Sequence, residues 1–408
     1  MTVRTVICGA GISGLALAHR LAAEGGEVVL VERAPGRRPQ GYMIDFFGPG
    51  LEGVEAMGLL PAFERAAYHY QEGHLVGADG RRKATVLTKS FARGRLLSMM
   101  RPDIEAVLAE HLPAGVELRY DTALTGVTER PDGVSVTLAD GTVLDADLLV
   151  GADGIHSTVR RLVFGPEQRY LRYLGLHTAA FTFDAPDVHA ATEHAFRLTD
   201  SVDRQMGFYA LRDGRVAAFT VHRSADPALP GDPRAAIRRA YAGLGWVTPR
   251  ALEQCPPAEE IYYDQVAQIE LPRWSSDRVV LLGDAAYAVS LIAGQGASLG
   301  IAGAYLLADR LVRVPSIEAA IAGFERLWRP VVTERQRNAR SLARWFLPAT
   351  PADLRIRRLM LGLSRMPFVM DRLATLLTGK DVTLADVLRR ADDRPLGPVS
   401  GSVPSTSA

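Results

Sequence analysis

The stretch TVICGAGISGLALAHRLAAEGGEVVLVER, residues 5–33, decides the fold of this chain. Its apolar run Thr5–Cys8 is typical of a buried parallel strand, Leu15–Ala23 predicts a helix rich in alanine and leucine, and Val28–Val31 predicts a second strand. The turn between the first strand and the helix contains three glycines in the pattern G-x-G-x-x-G, namely Gly9, Gly11 and Gly14. This order predicts a βαβ unit that binds a dinucleotide.

Each part of the predicted unit has a physical role. Gly9 allows the tight turn, Gly11 lets a pyrophosphate approach the backbone, and Gly14 lets the helix pack closely on the strand. The helix N-terminus offers free N–H groups and a partial positive charge to an anion. Glu32 follows Gly14 by 18 residues, at a strand tip where a carboxylate binds a ribose hydroxyl and repels a 2′-phosphate. The sequence therefore predicts bound FAD or NAD rather than NADP.

Two other interpretations of this stretch are a glycine-rich turn in another kind of α/β protein and an N-terminal signal peptide. The first is disfavoured because strand, turn, helix, strand and acid all occur in order. The second fails because the glycines interrupt the apolar run and Arg4 is the only basic residue before it.

The composition is that of an ordinary globular enzyme. Of the 408 residues, 48% are hydrophobic and 23% are charged, and the net charge of +1 does not favour a nucleic-acid binder or a membrane-surface protein. No apolar run approaches the ~20 residues of a membrane helix, so no membrane span is expected. The two cysteines, Cys8 and Cys255, predict a reducing, cytoplasmic setting without a disulfide framework.

Two later motifs narrow the class of protein. The stretch GADGIHSTVR covers residues 151–160, GDAAYAVSLIAGQGASLGIAGAYLLADRL covers residues 283–311, and each follows a predicted strand. Together with the N-terminal glycines and Arg101, these motifs resemble the single-component FAD-dependent aromatic hydroxylases. That family is typified by p-hydroxybenzoate hydroxylase and includes the tetracycline-modifying monooxygenases. The resemblance covers about residues 3–330.

The resemblance implies an α/β fold in which a Rossmann-type FAD-binding domain carries an inserted antiparallel-sheet substrate domain and is followed by C-terminal helices. Within the inserted part, Asp79 and Gly80 predict a hairpin turn between two strand-like runs. The expected parts are the FAD-binding domain at 1–73, 90–168 and 271–330, the substrate domain at 74–89 and 169–270, the helices at 331–393, and a disordered tail at 394–408.

The resemblance also implies which residues bind FAD. Leu124 would face the adenine, and Asp284 would accept a hydrogen bond from the ribityl chain. The helix beginning near Ala297 would direct its N–H groups at flavin N1 and O2, which become negative on reduction. The implied cofactor-binding residues are Gly9, Gly11, Ser13, Gly14, Glu32, Arg33, Asp45, Arg101, Leu124, Asp153, Asp284, Gly294, Gly296 and Ala297.

Four of the implied residues need a further comment. Arg101 resembles the family arginine that contacts the side of the flavin, and Asp45 resembles an FAD-contacting aspartate of the tetracycline-modifying branch. Arg38 matches the position of a nicotinamide-nucleotide contact in that branch, although a solvated loop arginine is the plainer interpretation. Asp153 either helps to hold FAD and the reductant or caps the following helix, with Ser157 and Arg160 supporting the fold.

The sequence departs from the family pattern, which runs G-D-A-A-H, then Pro-Pro, then G-Q-G-x-N. Here Tyr287 replaces the histidine, Ser290 and Leu291 replace the prolines, and Ser298 replaces the asparagine. In the family the proline places a carbonyl near the reacting oxygen, so its loss affects the geometry of oxygenation rather than FAD binding. A more apolar wall at residues 291–293 would suit a bulky apolar substrate.

The resemblance implies hydroxylation of an electron-rich aromatic or polycyclic small molecule through a C4a-hydroperoxyflavin, with O₂ and either NADPH or NADH as co-substrates. No second G-x-G-x-x-G follows a strand, so the reductant is expected to bind transiently and no separate reductase is expected. The histidines lack ligand spacing such as H-E-x-x-H, so no metal is expected. Tyr209, Leu291 and Ile292 are the candidate substrate-pocket residues. The oligomeric state stays open.

Three rival functions share parts of this pattern. A flavin-dependent halogenase is disfavoured because its W-x-W-x-I-P motif is absent. A flavin-dependent dehydrogenase or reductase stays open because of the changes at residues 287–298. A non-catalytic flavoprotein is the third alternative, and the sequence does not separate a biosynthetic role from drug inactivation.

Overall fold

The computed structural model describes residues 3–70, 72–87, 95–362 and 382–392. Its fold is α/β, with a parallel sheet flanked by helices, a larger and mostly antiparallel sheet, two smaller sheets and C-terminal helices. The predicted tail at 394–408 lies outside the described residues.

The first sheet consists of five parallel strands. With strands numbered in chain order, its spatial order is β17 (Val279–Leu281), β11 (Leu148–Gly151), β1 (Arg4–Cys8), β2 (Glu27–Val31) and β7 (Val116–Arg119). Side chains on both faces of the central strands are buried, which is why these strands read as continuous apolar runs. The predicted strand-turn-helix-strand unit is confirmed.

Some helices pack against the parallel sheet, and others pack against the larger, mostly antiparallel sheet. α1 packs on β1 and β2 of the parallel sheet and on α10, and α10 also contacts α2 and α11. In chain order the described α-helices are α1 (Ile12–Ala23), α2 (Pro49–Ala56), α3 (Leu60–Ala66), α4 (Arg101–Glu110), α5 (Thr158–Val163), α6 (Pro186–Thr192), α7 (Pro233–Tyr241), α8 (Thr248–Glu253), α9 (Asp284–Tyr287), α10 (Gly296–Arg313), α11 (Ile317–Phe346), α12 (Pro351–Gly362) and α13 (Leu384–Asp392).

Two small antiparallel sheets accompany the parallel one. The three-stranded sheet contacts strands β1 and β11 of the parallel sheet, and the two-stranded sheet forms part of a cavity wall. Their strands are β8 (Leu124–Arg130), β9 (Gly133–Leu138) and β10 (Val143–Ala146), and β3 (Met43–Phe46) with β6 (Leu97–Met100).

The largest sheet has seven strands drawn from two separate parts of the chain. Its spatial order is β16 (Tyr262–Ile269), β12 (Leu171–Phe183), β15 (Val216–Arg223), β14 (Arg204–Ala210), β13 (Ala195–Ser201), β4 (Glu72–Val76) and β5 (Arg82–Leu87). The hairpin predicted at Asp79 and Gly80 is confirmed as the β4–β5 pair. This hairpin joins the inserted strands by pairing β4 with β13. The β4–β13 pair is parallel, which is possible because no tight turn connects β4 to β13.

The described residues of the C-terminal part are mostly helical. α11 is continuous through Pro330, so the expected domain boundary at 330 and 331 falls inside one helix. Of the helices expected at 331–393, α12 is described over Pro351–Gly362 and α13 over Leu384–Asp392, and residues 363–381 lie outside the described residues. α12 contacts β5, and α13 contacts α2 and α11.

The two largest of the four apolar clusters among the described residues form separate cores. One surrounds the parallel sheet and the helices α1, α10 and α11, and the other lies between the seven-stranded sheet and the helices α6, α7 and α8. Cys8 and Cys255 are free thiols buried in these cores. Within the part of the chain that the structure describes, no helix has the length and apolar character that crossing a membrane requires.

Candidate active site

A cavity of about 760 Å³ lies between the parallel sheet and the seven-stranded sheet. Residues that directly follow β1, β2, β11 and β17 line one side of it, so the cavity meets the carboxyl ends of the parallel strands. In open α/β sheets this edge is where ligands bind. The cavity-facing side chains of β12, β14, β15 and β16 line the other side.

The backbone conformation and close packing of the protein require glycine at residues 9 and 14. Gly9 has φ +108°, and a Cβ on it would lie 2.5 Å from the carbonyl oxygen of Ala152. A Cβ on Gly14 would lie 1.9 Å from the carbonyl oxygen of Gly9. Both glycines therefore make the turn and the close packing of α1 on the sheet.

Gly11 and Gly296 have a different environment. A Cβ on Gly11 would meet nothing closer than Glu105 Oε1 at 3.8 Å, and a Cβ on Gly296 would meet only Asp284 Oδ1, at 3.7 Å. Both residues line the cavity, at the N-termini of α1 and α10, which have no side-chain cap. The fold does not require glycine there, so the bare backbone and its free N–H groups fit a phosphate-bearing cofactor.

The ribose-binding candidate Glu32 lies beside the glycine turn. Its Oε2 accepts a hydrogen bond from Ala10 N and its Oε1 accepts one from Ala34 N, both at 2.9 Å. Leu124 is buried at the same end of the cavity. The rim at this end carries the exposed side chains of Arg33 and Arg38.

Ser13 has a packing role in addition to lining the cavity. A Cβ on Gly283 would lie 2.3 Å from its Oγ, and a Cβ on Gly300 would lie 2.4 Å from it. Ser13 thus fills the space where three elements meet, namely α1, α10 and the turn that precedes α9.

Asp284 and Arg101 form the charged part of the cavity wall near the start of α10. Burial raises the pKa of Asp284, and the positive charge of Arg101 opposes that rise. Arg101 Nη2 lies 3.0 Å from Glu105 Oε1. Burial is the largest single effect on Arg101 and lowers its pKa, but Glu105, Tyr42, Tyr262 and Asp284 together outweigh it, so that the pKa is raised. Arg101 therefore stays protonated.

Asp45 lies on β3 and lines the cavity. Its Oδ1 accepts a hydrogen bond from Ser98 Oγ at 2.6 Å, on the partner strand β6. Burial raises the pKa of Asp45, and this hydrogen bond opposes the rise.

Asp153 supports the cap of α5, whose N-cap residue is Ser157 with its Oγ accepting from Arg160 N at 2.9 Å. The Asp153 Oδ2 accepts from Thr158 N at 2.6 Å and from Val159 N at 3.1 Å, at the start of α5. The guanidinium of Arg160 is fully buried and donates to Ala285 O at 2.9 Å. Asp153 also lines the cavity, so the capping interpretation has direct geometric support while a cofactor contact stays a prediction.

Two of the four departures from the family pattern point away from the cavity. The ring of Tyr287 packs on Trp274 with 4.6 Å between centroids, and its hydroxyl is directed at Gly303 in α10. Ser298 is buried against Gly50, where its Oγ accepts from Phe47 N at 3.4 Å. These substitutions therefore change core packing and not the cavity surface.

The other two departures line the cavity. Ser290 has φ +83° and ψ 148°, a region that non-glycine residues rarely adopt, and its Oγ accepts from Ile292 N at 3.1 Å. Proline cannot adopt this φ. A 3₁₀ turn at Leu291–Ala293 follows and ends at Gly294 in the left-handed region. The backbone of this segment thus differs from one that contains proline at residue 290.

Tyr209, Leu291 and Ile292 all line the cavity on the side of the seven-stranded sheet. The ring of Tyr209 stacks on Phe196 with 5.1 Å between centroids. The structure adds Tyr42, which was missed from the sequence. Its ring lies 5.6 Å from those of Phe219 and Tyr262, and burial raises its pKa to about 12.

His156 is a second residue that sequence reasoning missed, although it lies inside the GADGIHSTVR motif. Its Nδ1 lies 3.1 Å from Glu167 Oε1, and its Nε2 lies 3.2 Å from Asp264 Oδ1 on β16. The hydrogen bond to Asp264 is the largest of the effects that raise the pKa of His156 to about 9. The imidazolium therefore links the loop after β11 to the seven-stranded sheet. Among the described residues there is no cluster of metal-ligand type.

The cavity, its two uncapped helix N-termini and its position at the edge of the parallel sheet define a dinucleotide-binding protein. Residues 2–326 match the family model described as "FAD binding domain", and the chain belongs to that family. It is 35% identical over 317 residues to an uncharacterized protein of Mycobacterium tuberculosis strain H37Rv, an alignment that covers 75% of this chain and 84% of the relative.

Two further similarities concern monooxygenases. The chain is 28% identical over 347 residues to a protein named flavin-dependent monooxygenase from an unknown prokaryotic organism, with 82% of this chain and 88% of that protein covered. Its fold is similar to that of tetracycline destructase Tet(55), with a TM-score of 0.78 and 26% identity over 91% of this chain and 97% of that chain. The predicted family and fold class are confirmed, and the chain is an FAD-dependent oxidoreductase.

Proposed function

We propose that the chain is a monooxygenase that uses FAD, NADH or NADPH, and O₂ to hydroxylate an aromatic or polycyclic, electron-rich small molecule. The observation that carries this proposal is the bare backbone at Gly11 and Gly296, at two uncapped helix N-termini on one cavity. Backbone N–H groups without a covering side chain are suited to a pyrophosphate and to the polar edge of a flavin.

The residues have distinct proposed roles toward the cofactor. Gly11 and the first turn of α1 would hold the pyrophosphate, Glu32 a ribose hydroxyl and Asp284 the ribityl chain. When bound, FAD would supply the redox chemistry by carrying two electrons from NADH or NADPH to O₂. The balanced reaction converts a substrate C–H, O₂, NAD(P)H and a proton into C–OH, NAD(P)⁺ and water.

The chain itself must stabilise negative charge and exclude water. Arg101, which stays protonated, and the N-terminus of α10 together supply positive charge at the cavity wall. Tyr209, Leu291 and Ile292 supply an apolar wall, which limits the access of water to a reactive oxygen species. We assign the parallel sheet to FAD and the seven-stranded sheet to the substrate, as the sequence predicted.

One observation favours a second candidate, a flavin-dependent dehydrogenase or reductase. Ser290 holds a backbone conformation that proline cannot adopt, at the position where the family proline places a carbonyl near the reacting oxygen. A backbone carbonyl that points in another direction would remove a contact to the oxygen without disturbing hydride transfer.

The two candidates are separated by the fate of O₂. The FAD-loaded protein would be incubated with NADH or NADPH, ¹⁸O₂ and a panel of polycyclic phenols, and the products would be examined by mass spectrometry. Incorporation of one ¹⁸O atom into a product is the expected result. NAD(P)H oxidation that continues without O₂ and leaves no ¹⁸O in the product would instead identify a dehydrogenase or reductase.

A further inference from the structure

A second, smaller cavity of about 240 Å³ lies between α11 and the end of β16 with the chain that follows it. Its α11 wall consists of residues spaced by three or four positions, which share one face of the helix. These residues are Arg329, Thr333, Gln336, Arg337 and Arg340. The opposite wall consists of residues 269–271, Trp274 and Tyr287. Among the described residues the two cavities share no lining residue, so the smaller one is a separate site.

The aromatic part of this wall is closely packed. Trp274 and Tyr287 are each 2% exposed, and their ring centroids lie 4.6 Å apart. The Cζ of Arg329 lies 4.6 Å from the ring centroid of Trp274, and its Nη1 donates to Leu271 O at 2.8 Å. Arg329 is also paired with Glu325. The charge of Arg329 is therefore neutralised by the protein, and the site depends on the other two arginines of the helix face.

The acidic residue of the lining is Glu270, and it is shared. Its Oε1 accepts from Arg340 Nη1 at 2.8 Å and lies 3.5 Å from Arg172 Nη1. Arg340 Nη1 also donates to Gln268 Oε1 at 2.7 Å, so both hydrogens of this nitrogen are used. The Nε and Nη2 groups of Arg340 have no acceptor in the described part of the chain and remain available as donors.

Arg337 supplies a positive charge that the protein does not pair. The residue is exposed, lines the cavity, and makes no hydrogen bond or ion pair within the described ranges. Arg340 follows it by three positions, a spacing at which side chains on a helix are neighbours and like charges repel. The hydroxyl of Thr333, one turn before Arg337, is also without a partner among the described residues. A concave site with two neighbouring cations and a hydroxyl donor is suited to an anion.

The smaller cavity lies directly behind the wall of the larger one. Gln336 is 7% exposed, and its Nε2 donates to Ile269 O at 2.8 Å and to Ala288 O at 3.1 Å. Ala288 lines the larger cavity, whereas the preceding Tyr287, one of the departures from the family pattern, lines the smaller one. One layer of chain thus separates the two sites.

We propose that the smaller cavity is a second ligand site that binds a phosphate group through Arg337, Arg340 and Thr333. The planar guanidinium groups would each bind phosphate oxygens, and the threonine hydroxyl would donate to a further oxygen. The phosphate comes either from free inorganic phosphate or from a phosphate monoester, since the cavity is larger than one phosphate ion. This inference goes beyond the proposed function and does not depend on it.

The test is calorimetric titration of the purified, FAD-loaded protein with inorganic phosphate, at an ionic strength held constant with sodium chloride. We expect saturable binding with a dissociation constant of about 1 mM or lower. A parallel titration with ribose 5-phosphate identifies the source of the phosphate, because the ligand that binds more tightly is the preferred one. Absence of saturable binding of both compounds would overturn the proposal.

A matched pair of variants locates the site. Arg337→Met should weaken phosphate binding at least about tenfold, because a charge-assisted contact is lost, and its exposed side chain makes removal harmless to folding. Arg326→Met removes the same charge from an exposed position of the same helix outside the cavity lining, and its affinity should stay within about twofold of wild type. Equal weakening by both variants would indicate a general effect of charge and contradict the proposal.

The turn at Gly11 is the competing site for phosphate, because we assign the pyrophosphate of FAD to it. FAD fills that turn in the loaded protein, so phosphate binding at the smaller cavity should be the same in the FAD-loaded protein and persist when more FAD is added. Thr333→Val should weaken it about threefold, as expected for the loss of one neutral donor. Binding that appears only in the apoprotein would assign the phosphate to the turn at Gly11 and overturn the proposal.

Discussion

Two turns that line the same cavity differ in how the protein uses them. In the turn Gly9–Gly14, two glycines are enforced by close backbone contacts and the one between them faces the cavity. In the segment Ser290–Ala297, Ser290 holds a positive φ without being glycine, while Gly294 and Gly296 have no close contacts that require glycine. The first turn follows the family pattern, and the second departs from it.

The difference shows that a departure from a motif has meaning only once the direction of each side chain is known. The side chains of Tyr287 and Ser298 are buried in the core, whereas Ser290 and Leu291 line the cavity and change its wall. We therefore expect cofactor binding to depend on the first turn and the course of the reaction to depend on the second. The predictions below test this division, beginning with the largest effect.

Gly14→Ala should destabilise the protein by about 3 kcal/mol, because the new Cβ would overlap the carbonyl oxygen of Gly9. Chemical denaturation and FAD retention would measure the loss. A variant with wild-type stability would show that the first turn tolerates side chains and would remove the contrast between the turns.

Ser290→Pro restores the residue of the family pattern, yet it should destabilise the protein by about 2 kcal/mol because proline cannot adopt φ +83°. Ser290→Gly is the matched control. It relieves the positive φ and loses the hydrogen bond to Ile292 N, so its unfolding free energy should stay within about 1 kcal/mol of wild type. Higher stability of the proline variant would contradict the backbone described for this segment.

Gly11→Ala should leave the thermal unfolding midpoint of the apoprotein unchanged and weaken FAD binding at least about tenfold, equivalent to about 1.4 kcal/mol. The Cβ meets no protein atom within 3.8 Å but covers the backbone that would face the pyrophosphate. Fluorescence titration of the apoprotein with FAD gives the affinity. Gly115→Ala, at an exposed glycine without neighbours within 4 Å, is the control, and equal FAD affinity of both variants would refute the assignment.

The ion pairs of His156 should make the stability of the protein around the turn Gly9–Gly14 dependent on pH. The GADG loop packs behind Gly9, and the pKa of His156 is raised to about 9, so its stabilisation is complete below ~6.5 and is lost as the pH rises through 9. Because the side chain is 37% exposed, we expect a loss of only about 1 kcal/mol. Unfolding free energies of wild type and His156→Gln at pH 6 and 10 should converge at the higher pH.

Tyr287→Phe should have the smallest effect, less than about 0.5 kcal/mol. The hydroxyl is buried beside Trp328 and Gly283 but makes no hydrogen bond of good geometry among the described residues, so its removal forfeits only weak polar contacts. Thermal unfolding and the FAD affinity of the variant would both be measured. A change in FAD affinity would show that this departure reaches the cavity after all.

The sequence by itself determined the parts of the molecule whose causes are local. The spacing of Gly9, Gly11 and Gly14 fixes a strand, a turn and a helix within ten residues, because sterics at each glycine are set by the adjoining backbone. The position of Glu32 after the second strand predicted a dinucleotide contact, and the family resemblance implied one for Asp284; both residues line the cavity.

Only the tertiary structure decided the rest. The helix cap that Asp153 supports, the inward direction of Tyr287 and the positive φ of Ser290 depend on which neighbouring elements supply space and hydrogen-bond partners. The pairing of Arg357 with Asp200 joins residues 157 positions apart, and that of His156 with Asp264 joins residues 108 apart. No periodicity encodes such pairs, because they arise from the packing of one sheet against helices and loops formed elsewhere in the chain.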